Sequence, residues 1–167
     1  MERGVAINRQ PAHIMTSYLQ LTGNLEVIGN PLLFLNDERR DNMVIRDARV
    51  APIRPSGPFK ALSQPQVTVL RRDFAFAYFP DPEARGSVQL LARVESAVVY
   101  TSLAIVRADF HLPAEAPQAT FLSVITQDMI PVTNAQIFWL APPPLPFPTQ
   151  CELLMLGKKY IQMYHLA

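Results

Sequence analysis

The sequence predicts a mainly β protein in which one structural unit occurs twice. Apolar and polar residues alternate over long stretches, which is the period of a half-buried strand. The chain of 167 residues contains 16 prolines and 6 glycines, a composition that favours edge strands and stiff extended connections over long helices. One unusual strand pattern also appears twice, at residues 43–53 and 130–140.

The two unusual stretches read MVIRDARVAPI and IPVTNAQIFWL. In each, the apolar alternation shifts by one position after an acidic or amide residue that alanine follows, at Asp47-Ala48 and at Asn134-Ala135. A shift of phase in a period-two pattern means one extra residue, so we predict a β-bulge or a tight bend. Asp and Asn suit such a position because their short side chains hydrogen-bond nearby backbone and tolerate left-handed geometry.

The first unit is expected at residues 13–80, behind a loose arm at residues 1–12. Alternating apolar positions at residues 13–27 predict one long half-buried strand. Gly23 lies inside this strand, and an interior glycine indicates a bulge or a close approach of another backbone. The unit is therefore expected to begin with a strand that is locally irregular.

A short helix and two further strands complete the first unit. Asn30 is a candidate N-cap, and Pro31 suits the first helical position. The bent strand at residues 43–53 follows, and then a loop that contains prolines. Residues 67–79 change apolar phase across Arg71-Arg72-Asp73, which predicts a bent strand or a tight hairpin.

The second unit is expected at residues 88–167, after a turn-rich linker at residues 81–87. The order of elements repeats with nearly constant spacing. Four matches carry the repeat: Thr16-Ser17 with Thr101-Ser102, Phe34-Leu35 with Phe121-Leu122, Leu70 with Leu156, and Phe74 with Tyr160. Residues 88–100 fit a strand that leads into a longer strand, with a helix as the alternative.

One unit alone can bury too little apolar surface to be stable, and this limits the possible architectures. A unit with three strands and one short helix is too small to close a core. We therefore expect the two repeats to pack as one domain, a β-barrel or sandwich with internal pseudo-two-fold symmetry that two short helices plug. Two small Sm-like or SH3-like barrels in tandem are the alternative.

A strand with Gly or Ala, a short helix with Phe-Leu and an Asp/Asn-Ala bend follow one another in both units. The residues in this order are Gly23, Phe34-Leu35 and Asp47-Ala48, then Ala108, His111-Leu112-Pro113, Phe121-Leu122 and Asn134-Ala135. The pattern resembles a family of small bacterial β domains of uncharacterised activity, with this chain as a duplicated member. The resemblance implies no activity, so it carries over no catalytic residues.

Composition and charge argue against several classes of protein. The net charge of +1 provides no field that would recruit nucleic acid or an anionic membrane. No apolar run approaches the roughly 18 to 20 residues of a membrane helix, and the N-terminal stretch lacks the apolar core of a signal peptide. The single cysteine, Cys151, excludes an internal disulfide. We therefore expect a cytoplasmic protein.

Candidate catalytic and metal-binding residues do not form a pattern. His13, His111 and His165 are scattered along the chain, and His111 is expected to face solvent because its neighbour Phe110 faces the core. No stretch matches a serine nucleophile elbow or a glycine-rich phosphate loop. Cys151 is interpreted as a buried or idle thiol. We expect no catalytic activity, no metal site and no cofactor.

Four basic residues are the candidate ligand-binding residues. Arg71 and Arg72 lie at the bend of the last strand of the first unit, and Lys158 and Lys159 lie at the matching bend of the second. Related by the expected two-fold, they would bind a nucleotide, an RNA or another phosphate ligand. The interpretation that we prefer is that exposed bends carry charge to protect strand edges.

The leading hypothesis for function is a non-enzymatic structural or protein-interaction module that acts as a homo-oligomer or with a partner protein. A phosphate-binding module is the alternative, and a flavin-binding barrel enzyme rests on fold analogy alone. Residues 153–165 are apolar in both phases, which suits a strand that is buried on two sides. The predicted self-association interface consists of Trp139, Leu154, Leu156, Ile161 and Met163.

Overall fold

The computed structural model describes residues 6–55, 57–118 and 120–167. Strands dominate this part of the chain, which confirms the prediction of a mainly β protein. The strands are β1 (Ile7–Met15), β2 (Leu19–Ile28), β3 (Asn42–Pro52), β4 (Leu62–Leu70), β5 (Phe76–Tyr78), β6 (Arg93–Tyr100), β7 (Ala104–Leu112), β8 (Met129–Trp139), β9 (Gln150–Gly157) and β10 (Met163–Leu166). The short helices are α1 (Pro31–Leu35), α2 (Pro82–Gly86) and α3 (Phe121–Val124). Two 3-10 turns lie at Arg71–Asp73 and Lys158–Tyr160.

All ten strands of the described residues form one antiparallel sheet in the order β10-β6-β7-β8-β9-β5-β1-β2-β3-β4. The sheet does not close into a barrel, so the prediction of a single barrel or sandwich is wrong. The physical reason is that β1–β5 (the first half) and β6–β10 (the second half) join through one edge only, β5 against β9. Separate tandem barrels are not found either, because this pairing makes the sheet continuous.

The junction also shows that the halves are not related by a two-fold axis. Within the sheet the first half has the order β5-β1-β2-β3-β4 and the second half has the order β10-β6-β7-β8-β9. A two-fold axis would pair strands of the same rank at the junction. Instead, the last strand of the first half pairs with the fourth strand of the second half. The halves follow one another head to tail, and the expected pseudo-two-fold is a wrong prediction.

The start of the chain differs from the prediction. Residues 7–12 belong to β1 rather than to a loose arm, and residues 1–5 lie outside the described part. The predicted single strand is a hairpin, because the Oγ1 of Thr16 accepts a hydrogen bond from the Leu19 N–H at 3.0 Å and turns the chain. The outer end of β1 is exposed on both faces, so it carries no alternating pattern that would have revealed it.

The second half begins with the same kind of turn, and its first strand is shorter than predicted. The Oγ1 of Thr101 accepts hydrogen bonds from the N–H groups of Leu103 and Ala104 at 3.1 and 3.0 Å. Strand β6 starts only at Arg93, and residues 88–92 form neither strand nor helix. The predicted linker at residues 81–87 contains α2, which the side chain of Asp81 caps.

The two bulges are confirmed. The register of β2 against β3 shifts between Thr22 and Asn24, and that of β7 against β8 shifts between Arg107 and Asp109. The extra residue lies in β3 and in β8. A left-handed backbone occurs there, and the bulge residues have the only positive φ angles among the described non-glycine residues, Asp47 at 50° and Asn134 at 51°.

The predicted helix cap and the predicted break after β4 are both found. The side chain of Asn30 caps α1 by accepting a hydrogen bond from the Leu32 N–H at 2.8 Å. The predicted break between β4 and β5 is the first 3-10 turn. This turn and its equivalent begin at Arg71 and Lys158, 87 residues apart. Phe74 follows the first turn as Ile161 follows the second, whereas the sequence comparison aligned Phe74 with Tyr160.

The core consists of two clusters that each include residues from the other half. The cluster of the first half takes in Met129, Leu153 and Met155 of the second half. The cluster of the second half takes in four residues of the first half, which are Met15, Ile53, Ala75 and Phe76. Since both clusters cross the β5–β9 junction, neither half completes its own interior.

Candidate functional site

The junction between β5 and β9 is the most closely packed contact between the halves. Phe76 lies opposite Leu156, and the Gly157 N–H donates to the Ala75 carbonyl at 2.7 Å. A Cβ atom on Gly157 would lie 2.5 Å from the carbonyl oxygen of Phe74. Only glycine allows the backbones to approach this closely.

Polar contacts between the two halves reinforce the junction. The Nη1 of Arg71 lies 2.8 Å from the Oδ2 of Asp128. The Asn36 side chain accepts from the Met129 N–H at 2.8 Å and donates to the Met129 carbonyl at 3.0 Å. The Gln20 side chain, fully buried, makes the same pair of contacts with Leu145 in the proline-rich loop. These side chains satisfy backbone groups that a bare apolar contact would leave unpaired.

The five predicted interface residues differ in how far they are buried. Leu154 and Leu156 are fully buried inside the chain, so they do not contribute to a surface. Trp139 packs edge-on against Phe76 at 5.8 Å and Phe147 at 5.1 Å, as measured between ring centroids. The remaining two are Ile161, which is half-buried against the core, and Met163, which is exposed.

The position of β9 in the sheet explains why Leu154 and Leu156 are buried inside the chain. Its apolar character in both phases indicates burial on two sides, and the structure has β9 near the middle of the sheet. The first half of the same chain covers it, however, rather than a second molecule. Of the predicted set, Met163 alone remains as an exposed apolar side chain on a free edge.

Three of the four basic candidates come together. Arg71, Arg72 and Lys159 line a cavity of about 110 Å³, together with Asp128. Asp128 neutralises Arg71, whose Nε is buried without a hydrogen-bond partner. Lys158 is not among the lining residues, and its amine donates to the Ile125 carbonyl. The arrangement leaves two cations, Arg72 and Lys159, facing a small space beside the junction.

A larger groove, of about 470 Å³, opens beside the free edge of β4. Sequence reasoning missed it because β2 and β4 form it from residues far apart in the chain. The nearest signal was the alternation in Val67 and Val69. The lining residues are mainly apolar and come from the turn between β1 and β2, from β2, β3 and β4, and from the first 3-10 turn. They are Thr16, Ser17, Tyr18, Leu19, Leu21, Val50, Val67, Thr68, Val69, Leu70 and Asp73. We name it the β4 groove.

The side chain of the cysteine is buried, and those of two of the histidines are partly buried. Burial raises the pKa of the Cys151 thiol to about 12, which nearby Arg85 partly opposes. Burial lowers the pKa of His13, which packs beside the rings of Tyr78 and Phe147. His111 is half-buried rather than facing solvent, and its ring bonds the Leu91 carbonyl and the Thr133 hydroxyl.

Within residues 6–55, 57–118 and 120–167, no three His, Cys, Asp or Glu side chains are grouped as a metal site would need. No helix of the same residues is long and apolar enough to cross a membrane. No family model, curated protein or solved structure matches the chain. The resemblance to small bacterial β domains therefore stays a prediction.

Proposed function

We propose that this protein is a non-enzymatic structural module that works as a homo-oligomer. The observation that carries the proposal is the chemistry of the two end strands. Neither β4 (LSQPQVTVL) nor β10 (MYHL) contains a Lys, Arg, Asp or Glu residue. Free strand edges are normally paired, covered, charged, very short or interrupted by proline. Pro65 interrupts β4, whereas residues 66–70 of the same strand contain neither charge nor proline. Two uncharged edges with exposed apolar side chains beside them favour pairing with another molecule.

The proposal includes that the two halves are copies of one unit. Three features support it: the same strand order, the same threonine-based turn and the same bulge with a left-handed residue. A crystal structure in which the main chain of residues 7–78 does not superpose on that of residues 93–166 would contradict this part of the proposal.

Light scattering at micromolar concentration tests the self-association. We expect the mass of a dimer or a larger assembly, and a monomeric mass at this concentration would overturn the proposal. A partner protein is the remaining route to covering the edges. We place the protein in the cytoplasm as part of the same proposal, because its one thiol is buried and needs no oxidising compartment.

A phosphate-binding module is the second candidate. It is supported by the cavity that Arg72 and Lys159 line, since neither forms an ion pair within the described residues. Titration calorimetry with inorganic phosphate and with a nucleotide tests it, using Arg72→Gln as the matched variant. Absence of heat with both ligands would remove this candidate. The absorbance spectrum of the purified protein tests for bound flavin and for nucleic acid.

A further inference from the structure

The free edges of β10 and β4 correspond to the edges of β5 and β9, which pair with each other inside the chain. We propose that β10 of one copy pairs antiparallel with β4 of a second copy, in the register that β5 and β9 adopt within one chain. This contact rests on the proposed self-association. It adds which two surfaces meet and in which register.

The register follows from the two 3-10 turns, which begin 87 residues apart. At the internal junction, Phe76 lies opposite Leu156, and Ala77 lies opposite Met155. Moved by that spacing, the same pairs become Met163 opposite Val69 and Tyr164 opposite Thr68. We call the residue at the matching position of the other half the counterpart. The counterpart of Gly157 is Leu70, whose N–H is then expected to donate to the Gln162 carbonyl of the next copy. Because Leu70 has a Cβ atom where the junction has a glycine, the two strands must lie further apart at this position than β5 and β9 do.

Backbone hydrogen bonds show that the free β4 edge has the orientation of the paired β9 edge. In β9, the Gly157 N–H points outward to β5, while the Lys158 N–H bonds inward to the Asp128 carbonyl at 2.8 Å. In β4, the Arg71 N–H bonds inward to the Asp41 carbonyl at the same 2.8 Å. The Leu70 N–H therefore points away from β3, toward a missing partner.

The free β10 edge likewise matches the paired β5 edge. The Gln162 N–H donates to the Tyr100 carbonyl at 2.8 Å, as the Ala75 N–H donates to the Met15 carbonyl at 2.8 Å. These inward bonds hold each last strand against the first strand of its own half. The opposite edge of β5 is occupied by β9, whereas no strand of the described residues lies on the opposite edge of β10.

Side chains that are buried at the junction have exposed counterparts at the β10 end. Phe76 is fully buried and Ile53 is 8% exposed. Their counterparts, Met163 and Leu140, are 61% and 56% exposed. The neighbouring half covers the first pair and has no equivalent beside the second within the described residues. The β10 end therefore presents an apolar surface without its cover.

The β4 end has an open groove where the junction has a filled core. At the junction, Met15, Ile53 and Phe76 join the core cluster that contains Leu103 and Leu156. The matching turns at Thr16 and Thr101 lie 85 residues apart, so the counterpart of Leu103 is Tyr18 and that of Met15 is Tyr100. The counterpart of Leu156 is Val69 in β4. Tyr18 and Val69 line the open β4 groove of about 470 Å³. Met163 and Tyr100 of a second copy would fill it as Phe76 and Met15 fill the equivalent space.

Charge complementarity is repeated as well. The junction contains the ion pair between Arg71 and Asp128, at 2.8 Å. Their counterparts are Lys158 and Asp41, again one cation and one anion. Asp41 is exposed and forms no ion pair within the described residues. Across the proposed contact, Lys158 of one copy, whose amine also donates to the Ile125 carbonyl of its own chain, would face Asp41 of the next.

A contact of this kind is head to tail, so each copy contributes two different edges. Such contacts generate closed rings when the rotation between copies closes, and filaments when it does not. Pairing of β10 with β10, or of β4 with β4, is not expected. This property makes the proposal testable with variants that block one edge each.

Two substitutions block the edges separately. Leu70→Pro removes the outward N–H of β4, and the φ of Leu70, −72°, already suits proline. Met163→Glu places a charge on the side chain that would enter the apolar groove. The matched control is Leu91→Glu, another exposed apolar residue, which lies outside both edges.

Light scattering of the full-length protein gives the readout. We expect each blocked variant to be monomeric by itself, a mixture of the two to form a one-to-one dimer, and the control to assemble as the unmodified protein does. An unmodified protein that is monomeric overturns the proposed function itself. An assembly that survives in either blocked variant overturns only the β10–β4 contact and leaves self-association standing.

A disulfide test checks the register independently of how well the proline variant folds. Cysteines that replace Met163 in one preparation and Val69 in another would face each other at a position where strands approach within about 4.5 Å. We expect oxidation of the mixture to give a covalent dimer, and Met163→Cys with Gln66→Cys to give none. Failure of the first pair to cross-link in an assembled protein rejects this register.

Discussion

Asp47 and Asn134 have the same left-handed backbone conformation, with φ angles of 50° and 51°, at the extra residue of equivalent bulges in β3 and β8. Each bulge lets a long strand bend while it keeps pairing on both sides. Because the two residues are exposed, their side chains contribute little packing. The identity of Asp47 therefore matters mainly through the backbone, whereas the Asn134 side chain also donates to Asp109.

The first prediction concerns this backbone conformation. We expect Asp47→Ala to lower the free energy of unfolding by about 1 kcal/mol, because alanine lacks the polar side chain that favours left-handed geometry. Asp47→Gly should be close to neutral. Urea denaturation measures both, with Arg49→Ala, an exposed residue of the same strand, as the control. Equal stability of the alanine and glycine variants would contradict the role of φ.

Gly23 lies opposite the first bulge, and its replacement tests the close backbone approach there. A Cβ atom would lie 2.7 Å from both the Arg46 carbonyl oxygen and the Ile45 Cγ2. We expect Gly23→Ala to cost about 1–3 kcal/mol of unfolding free energy, in the range of overpacked interiors. Gly86→Ala is the control, since nothing lies within 4 Å of its Cβ position. A loss no greater than that of the control would contradict the prediction.

The second bulge predicts a pH dependence. Hydrogen bonds from Asn134, at 2.8 Å, and from Ser96 lower the pKa of Asp109 below its ordinary value of 3.8. The folded state then binds this proton less readily than the unfolded state, so the stabilisation is present above the ordinary pKa and is lost as the pH falls through the lowered one. Denaturation between pH 7 and pH 3 should show a shallower acid loss for Asp109→Asn. An unchanged profile would contradict the prediction.

Reversing the charges of the proposed contact between copies should give partial rescue. We expect Asp41→Lys or Lys158→Glu alone to weaken assembly several-fold at low salt, the scale of exposed ion pairs. Both changes in one chain should restore it, because each copy then meets the opposite charges of the next. Analytical ultracentrifugation measures the dissociation constants, and Glu115→Lys controls for net charge. No recovery in the double variant would argue against this ion pair.

The buried thiol gives a labelling prediction. With a pKa of about 12, Cys151 is protonated at neutral pH and is also shielded from solvent. We expect a thiol reagent to label the native protein slowly at pH 8 and the urea-unfolded protein rapidly. Fast labelling of the native protein would show that the environment of Cys151 is open.

Short-range features were predictable from the sequence because neighbouring residues determine them. The Asn30 cap depends on a side chain reaching an N–H two residues away. The bulges at Asp47 and Asn134 depend on one extra residue and on a side chain that tolerates positive φ. The break at Arg71–Asp73 shows as a change of apolar phase. The mainly β class follows from the same alternation, which the exposed end of β1 lacks.

Only the tertiary structure decided which strands meet. The apolar residues of β9, among them Leu154 and Leu156, indicate burial on two sides, but the pattern does not say whether the same chain or another molecule covers them. That choice depends on β5 reaching β9, a pairing between residues about 80 positions apart. No local preference encodes such a contact, because it depends on the shape of both edges after each half has folded. The head-to-tail order, the open sheet and the β4 groove all result from it.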